Sequence, residues 1–495
     1  MHSRLAPNRI AFRGAEQQGR ITMQVRQEYP TRSLNRIYYP EDRLPLVKLI
    51  PMGIQHVIAM FGGTVLAPIL MGFDPRVTLF FSGIGTLLFI FITGLRVPSY
   101  LGSSFAFIGP ILAITGGNAA RIPYALCGVA GAAVLYAVAA VVTMRWGPSW
   151  IDRLMPPIVT GSVVAIIGLN LAGTAVSDAI NNDLAINAAS DWARVTIAAV
   201  TFLTAALVSI RLRGFLQMVP ILVGVIVGCA VAAICGMLDP QSIARVEGAP
   251  WIGLPPFQAP AFSWGALAAI APVSVVLVAE NKGHIAAISD YMGRDLNPYL
   301  GRAYLGDALA TLVSSLGGGT PQTTYAENMG VMAMTGVFST HNFIAAALIA
   351  LLLGLCPKFG ALIQAIPNPV LGGITLLLYG IIALMGIRIW MDAKVDFTRH
   401  KNLAVAGASL IVATGLGVKG LTVAGMNIAG IALGTVLALV LNCSFPSETR
   451  NSRFILWTPQ PRTSRRPSRW PRRITTVYTP LELPPCATLP PPYFF

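Results

Sequence analysis

From residue 49 to residue 442 the chain is a succession of apolar runs separated by short polar connections. A bilayer core about 30 Å thick takes about 20 apolar residues of helix. Fourteen candidate runs fit that requirement: 49–73, 76–95, 100–117, 122–143, 156–177, 194–211, 215–237, 264–288, 300–316, 323–337, 341–364, 368–390, 402–418 and 424–442. The third, ninth, tenth and thirteenth are short. The pattern predicts an all-α polytopic membrane protein.

Two of the short runs depart from helical character. S-S-F-A-F (103–107) lies in the third run and T-T-Y-A-E (323–327) in the tenth, each with glycine before and soon after. Aromatic and β-branched residues favour extended backbone, so each run is expected to begin as a short strand. Non-helical backbone at membrane depth is tolerated only where protein buries it or a cavity bounds it. The two runs are seven positions apart, an odd offset, so the second half of the chain would insert upside down relative to the first. Transporters built from two inverted seven-segment repeats have this arrangement, with the substrate at the broken segments.

Composition strengthens the membrane assignment. The chain of 495 residues is 54% hydrophobic and 11% charged, against about 25% charged residues in soluble domains. Its net charge of +15 would suggest nucleic acid in a soluble protein, but nine Lys/Arg precede residue 49 and eight follow residue 442. With an even number of spans, the positive-inside rule puts both termini in the cytoplasm of a multi-pass inner (plasma) membrane protein. No nucleic-acid partner is expected. Residues 1–48 and 443–495, polar and rich in Arg and Pro, read as disordered arms, and no apolar stretch of the signal-peptide kind precedes residue 49. The six cysteines show no metal-ligand spacing.

The candidate chemistry is acidic. Glu280 lies in P-V-S-V-V-L-V-A-E-N-K-G-H-I-A-A-I (272–288) and Glu327 in T-T-Y-A-E-N-M-G-V-M-A-M-T-G (323–336). A carboxylate at the bilayer centre costs about 2.5–3.5 kcal/mol on insertion scales, so such groups face cavities and mark substrate or proton paths. His284, four residues after Glu280, shares its helical face and is the one side chain there whose unperturbed pKa lies near physiological pH. Lys282 is out of phase with both and is read as snorkelling to the interface. Asp307 is read as sitting near a segment end, and Gln55 and His56 as hydrogen-bonding across helices. No nucleophile–base pair, metal cluster or cofactor motif is apparent, and G-G-G-T (317–320) lacks the lysine of a phosphate loop, so an enzyme is not expected.

These residues carry a family resemblance. E-N-M-G-V-M-A-M-T-G (327–336) resembles the signature of the nucleobase–ascorbate transporters, the nucleobase:cation symporters. Q-H-V-I-A-M-F-G-G-T-V-L-A-P (55–68), Y-L-G-S-S-F-A-F-I-G-P (100–110), A-E-N-K-G-H (279–284) and L-L-L-Y-G (376–380) resemble blocks of its uracil and pyrimidine branch. The resemblance spans about residues 44–442. It implies fourteen spans divided into a core domain (49–143 and 264–364) and a gate domain (156–237 and 368–442). It also implies that Glu280 and Glu327 hold the base and that His284 takes part in proton coupling with them. Phe105 would line the base, Tyr325 and Ala326 would offer backbone beside it, and Tyr379 would stand on the gate side. Ala326 occupies a position that is glycine in the uracil symporter. The implied function is uptake of uracil or a related pyrimidine with a proton, sodium being the alternative ion. Lipid surrounds the spans and a homodimer is compatible with the family. The alternatives are a purine or xanthine permease of the same family and, in another class, an anion exchanger of similar inverted-repeat fold.

Overall fold

The computed structural model describes residues 37–180, 190–418, 420–423 and 426–445; the expected arms, save residues 37–48 and 443–445, lie outside them. Of the nineteen α-helices among the described residues, the principal ones are α1 (Leu46–Ala59), α2 (Pro75–Ile92), α3 (Ile108–Thr115), α4 (Ile122–Trp146), α5 (Pro157–Ile180), α6 (Ser190–Arg211), α7 (Pro220–Ile234), α8 (Ser274–Met292), α9 (Leu300–Leu316), α10 (Ala326–Thr335), α11 (Thr340–Gly354), α12 (Asn368–Asp392), α13 (His400–Leu416) and α14 (Gly430–Ser444). Short turns and helices supplement them. Among the described residues six helical stretches are long and apolar enough to cross a membrane, and two bent pairs bring the number to as many as eight.

Local chemistry starts and stops these helices. Asp74 caps α2 by accepting a hydrogen bond from the Arg76 amide at 2.8 Å, with Pro75 at the first helical position, where its missing N–H costs nothing. The first candidate run is bent: α1 passes at Gly62–Leu66 into a π-helical turn and then into Ala67–Met71, with an angle of 52° between the two halves. The run 341–364 bends by 80° between α11 and the helix Pro357–Gln364, where the proline begins a new helix.

Packing follows two sets of helices. In one, α4 lies on α9, α2 on α9 and α11, and α1 on α11; in the other, α5 lies on α12, α6 on α7 and α12, and α13 on α14. Small residues permit the close approaches, as expected where lipid offers apolar side chains no advantage in meeting. A Cβ at Gly168 would sit 2.3 Å from the Tyr379 carbonyl oxygen, and one at Gly306 would sit 2.8 Å from the Phe89 ring.

Among the described residues four short strands interrupt the helices. β1 (Leu101–Ser103) and β2 (Gln322–Thr324) pair antiparallel with Gly102 opposite Thr323; β3 (Leu421–Val423) pairs with β4 (Met426–Ile428). The first two occupy the places where the sequence predicts strands. The second pair corrects the last candidate run (424–442), in which Met426–Ile428 is strand paired with Leu421–Val423 and helix begins only at Gly430. The described end of the expected N-terminal arm, residues 37–48, also departs from expectation. Tyr38 and Pro40 are held against residues 336–340 by backbone hydrogen bonds, the Ser339 hydroxyl donates to the Asp42 carbonyl, and Leu44 is buried.

Candidate functional site

Two three-residue strands cannot satisfy each other's backbone, and the remaining groups need partners when buried. Hydroxyls from the neighbouring helices supply them. On α2, Thr86 Oγ1 accepts from the Leu101 amide at 3.0 Å and Ser82 donates to the Leu101 carbonyl. On α9, Thr311 Oγ1 accepts from the Gln322 amide and donates to its carbonyl, both at 3.0 Å, while Ser314 donates to the Thr320 carbonyl at 2.7 Å. These four hydroxyl residues are fully buried. The strands can therefore cross inside protein without water.

Beyond the strands the chain turns helical and delivers the candidate side chains. After β1, Ser104 Oγ accepts from the Ala106 amide at 3.3 Å, capping the turn Phe105–Phe107, and donates to Glu280 Oε2 on α8 at 3.4 Å. After β2, Tyr325 donates its hydroxyl hydrogen to the Ser103 carbonyl, and its ring stands edge-on to Phe105 with centroids 6.3 Å apart. Glu327 then lies in the first turn of α10, where the helix dipole favours a carboxylate. His284 Nδ1 and Thr324 Oγ1 are 2.8 Å apart, which ties α8 to β2. Glu280, His284, Glu327, Phe105 and Ala326 are half-buried, and Tyr325 is buried.

The structure thus brings Glu280, His284, Glu327, Phe105 and Tyr325 to one crossing, with Ala326 beside them. Tyr379 is elsewhere in the bonding pattern: it is buried on α12, its carbonyl faces Gly168 of α5, and its hydroxyl has no partner among the described residues. Asp307 needs correction. It is in the middle of α9, fully buried, and accepts hydrogen bonds from Asn281 and from Tyr136 at 3.4 Å, because α9 packs against α2, α4 and α8. His56 bonds across helices, its Nδ1 lying 3.1 Å from Asn328 Oδ1.

Sequence reading overlooked what holds Tyr325. A Cβ at Gly63 would fall 1.8 Å from its hydroxyl oxygen and one at Gly102 2.4 Å from its ring. The ring therefore sits between β1 and the π-helical turn of the first segment, a helix irregularity of the kind that recurs at functional sites. The G-G pair at 62–63 was the available signal. Overall the site presents two carboxylates, a hydroxyl and an aromatic edge. Such a set can accept hydrogen bonds when ionised, donate when protonated, and pack against a flat ring. Among the described residues no group of three His, Cys, Asp or Glu is arranged to hold a metal.

Known proteins share this plan. The chain is 48% identical over 384 residues to RutG of Escherichia coli (strain K12), named as a pyrimidine permease, covering 76% of this chain and 85% of that protein. It is 40% identical over 410 residues to the uracil permease of the same organism, covering 82% and 92%. The Bacillus subtilis (strain 168) uracil permease is 38% identical over 408 residues, covering 80% and 92%. In fold, the chain is similar to the murine anion transporter Slc26a9 in its inward-facing state, with TM-score 0.58 at 12% identity over 82% of this chain and 69% of that one. The transmembrane domain of the cyanobacterial bicarbonate transporter BicA gives TM-score 0.56 at 16% identity, covering 82% and 100%. The Permease family model Xan_ur_permease matches residues 47–423, and the chain accordingly belongs to that family and is an integral membrane transporter, not an enzyme.

Proposed function

We propose that this permease imports uracil or a related pyrimidine base across the inner membrane by proton symport with alternating access. The observation that carries the reading is the convergence of Glu280 and Glu327, from α8 and α10, on a strand crossing that also presents Phe105. Uracil offers N–H donors and C=O acceptors along one planar edge. An ionised carboxylate accepts from the first and a protonated one donates to the second. Phe105 stacks on the ring, a contact worth about 1–3 kcal/mol in base-binding proteins. If the base binds best when one carboxyl is protonated, proton and base raise each other's affinity, as symport requires. His284 takes the coupling role, since its ring joins α8 to β2 and a change in its protonation alters that bond.

The larger architecture follows the same reading: fourteen segments in two inverted repeats, a core and a gate, and both termini in the cytoplasm. The inverted relation is supported by the matched hydroxyl supports, Ser82 and Thr86 before β1 and Thr311 and Ser314 before β2. The two helix sets support the division into core and gate, with Tyr379 on the gate side. Against an anion substrate stand the two carboxylates, which would repel it.

The test is uptake of labelled uracil into cells lacking their own carrier, with and without a protonophore. Saturable uptake abolished by the protonophore is expected. Uptake that follows a sodium gradient would replace the coupling ion, and competition by xanthine but not uracil would replace the substrate.

A further inference from the structure

The segment ahead of α1 forms a strap across the ends of the two helices that bear the site glutamates. The Tyr38 amide donates to the Gly336 carbonyl at 3.0 Å and the Phe338 amide to the Tyr38 carbonyl at 2.7 Å, a parallel bridge just past α10. Thr340 donates its amide (3.2 Å) and its hydroxyl (2.8 Å) to the Pro40 carbonyl, and Ser339 donates to the Asp42 carbonyl at 2.5 Å. The same strap reaches the end of α8. Arg294 lies over the Tyr39 ring, 3.6 Å from its centroid, and pairs with Glu41 at 2.7 Å. This pairing holds the Glu41 carboxyl below the usual carboxylate range.

Arg294 is itself rigidly mounted. Gly293 ends α8 in the left-handed region at φ 64°, which glycine adopts without a Cβ penalty. Ser289 Oγ then donates to the Arg294 carbonyl at 2.5 Å and accepts from the Leu296 amide at 3.0 Å, closing the loop around the arginine. An exposed ion pair alone contributes little. Here it is combined with cation–π stacking and a strap whose backbone is already bonded to the far side.

We infer that Arg294 is a positioning residue for transport: through Tyr39 and Glu41 it holds residues 38–42 against residues 336–340 and fixes the ends of α8 and α10 relative to each other. The inference rests on Glu280 and Glu327 being the base ligands. At 1.5 Å per helical residue the clamp acts about 18 Å from Glu280 and about 12 Å from Glu327 along their helices. Loosening it lets the two carboxylates drift apart, which weakens base binding without touching the base.

The experiment uses the full chain with Arg294→Glu, Glu41→Arg, the double charge swap, and Tyr39→Leu, which keeps both charges and removes the ring. Two readouts are taken: hydrogen exchange of residues 336–340 in purified protein, and uracil uptake at matched membrane abundance. Each single variant is expected to lose protection at the Phe338 and Thr340 amides and to raise KM about threefold to tenfold, with the maximal rate within about twofold. The double swap is expected to restore much of both. Unchanged protection in the single variants would overturn the role of Arg294 in holding the strap. Lost protection with unchanged KM would overturn the positioning role. Should Arg294→Glu fail to reach the membrane, Tyr39→Leu decides by the same criteria. Absence of nucleobase uptake by the wild-type chain would overturn the substrate reading and the positioning role with it, while exchange would still decide whether Arg294 holds the strap.

Discussion

The broken segments around β1 and β2 solve one backbone problem in the same way and then diverge in chemistry. Both run as three buried extended residues beside hydroxyls on the preceding helix, and both turn helical at once. The first then presents Ser104 and Phe105, a hydroxyl and an aromatic ring; the second presents Tyr325, Ala326 and Glu327, which add a carboxyl group at a helix start. On the proposed reading, similar supports carry divided recognition, one segment offering a ring to stack on and the other a titratable acceptor. Similar supports do not require similar chemistry.

The sharpest way to break that comparison is to remove the charge from one half and the ring from the other. Glu327→Gln keeps shape and loses the charge-assisted bond, so uptake should fall about tenfold to a hundredfold. Normal uptake by this variant would take Glu327 out of the mechanism. Phe105→Leu should reduce affinity by less, about threefold to tenfold, because a leucine still packs on the base. Competition by unlabelled pyrimidines measures both.

The scaffolds themselves should differ in fragility. Thr311→Val leaves both the amide and the carbonyl of Gln322 without this partner, whereas Thr86→Val orphans only the Leu101 amide. An unsatisfied buried group costs about 1–3 kcal/mol. Thermal unfolding of purified protein should therefore fall further for Thr311→Val. Equal shifts would mean that Ser314 or another neighbour takes over the bond. The smallest expected effect on binding belongs to His284→Ala, which removes a tie to Thr324 yet no proposed base contact. Binding should change by about threefold or less, while the dependence of uptake on pH and on protonophore weakens markedly. Comparison of counterflow exchange with proton-driven accumulation in liposomes separates the two. Accumulation like wild type would leave coupling to the glutamates alone.

Much of the candidate site was legible as a set of residue types in apolar runs. Glu280 and His284 stood out because a helix places i and i+4 on one face, and Glu327 because it followed a stretch that favours extended backbone. Asp307 was misread because its apolar run is short and charged residues lie near its start; only the packing of α9 against α2, α4 and α8 buries it beside Asn281 and Tyr136. Residues 37–45 were misread because their prolines and charges look like an arm, and the partners that order them are almost 300 positions away. The Gly62-Gly63 pair marked a place of close approach, but neither it nor Gly102 named the Tyr325 ring as the neighbour, since an absent side chain does not say what fills its space.

By itself the sequence determined the membrane environment, the helical class and the two places where helix gives way to strand, because hydropathy and local backbone preference act over neighbouring residues. Tertiary structure alone decided which hydroxyls satisfy the strands, where Tyr325 docks, and that a strap before the first helix reaches both glutamate-bearing helices. Those contacts join residues as far apart as Ser103 and Thr320, or Glu41 and Arg294. Partners so distant along the chain leave no periodic trace in it, and only the packed chain brings them within hydrogen-bond reach.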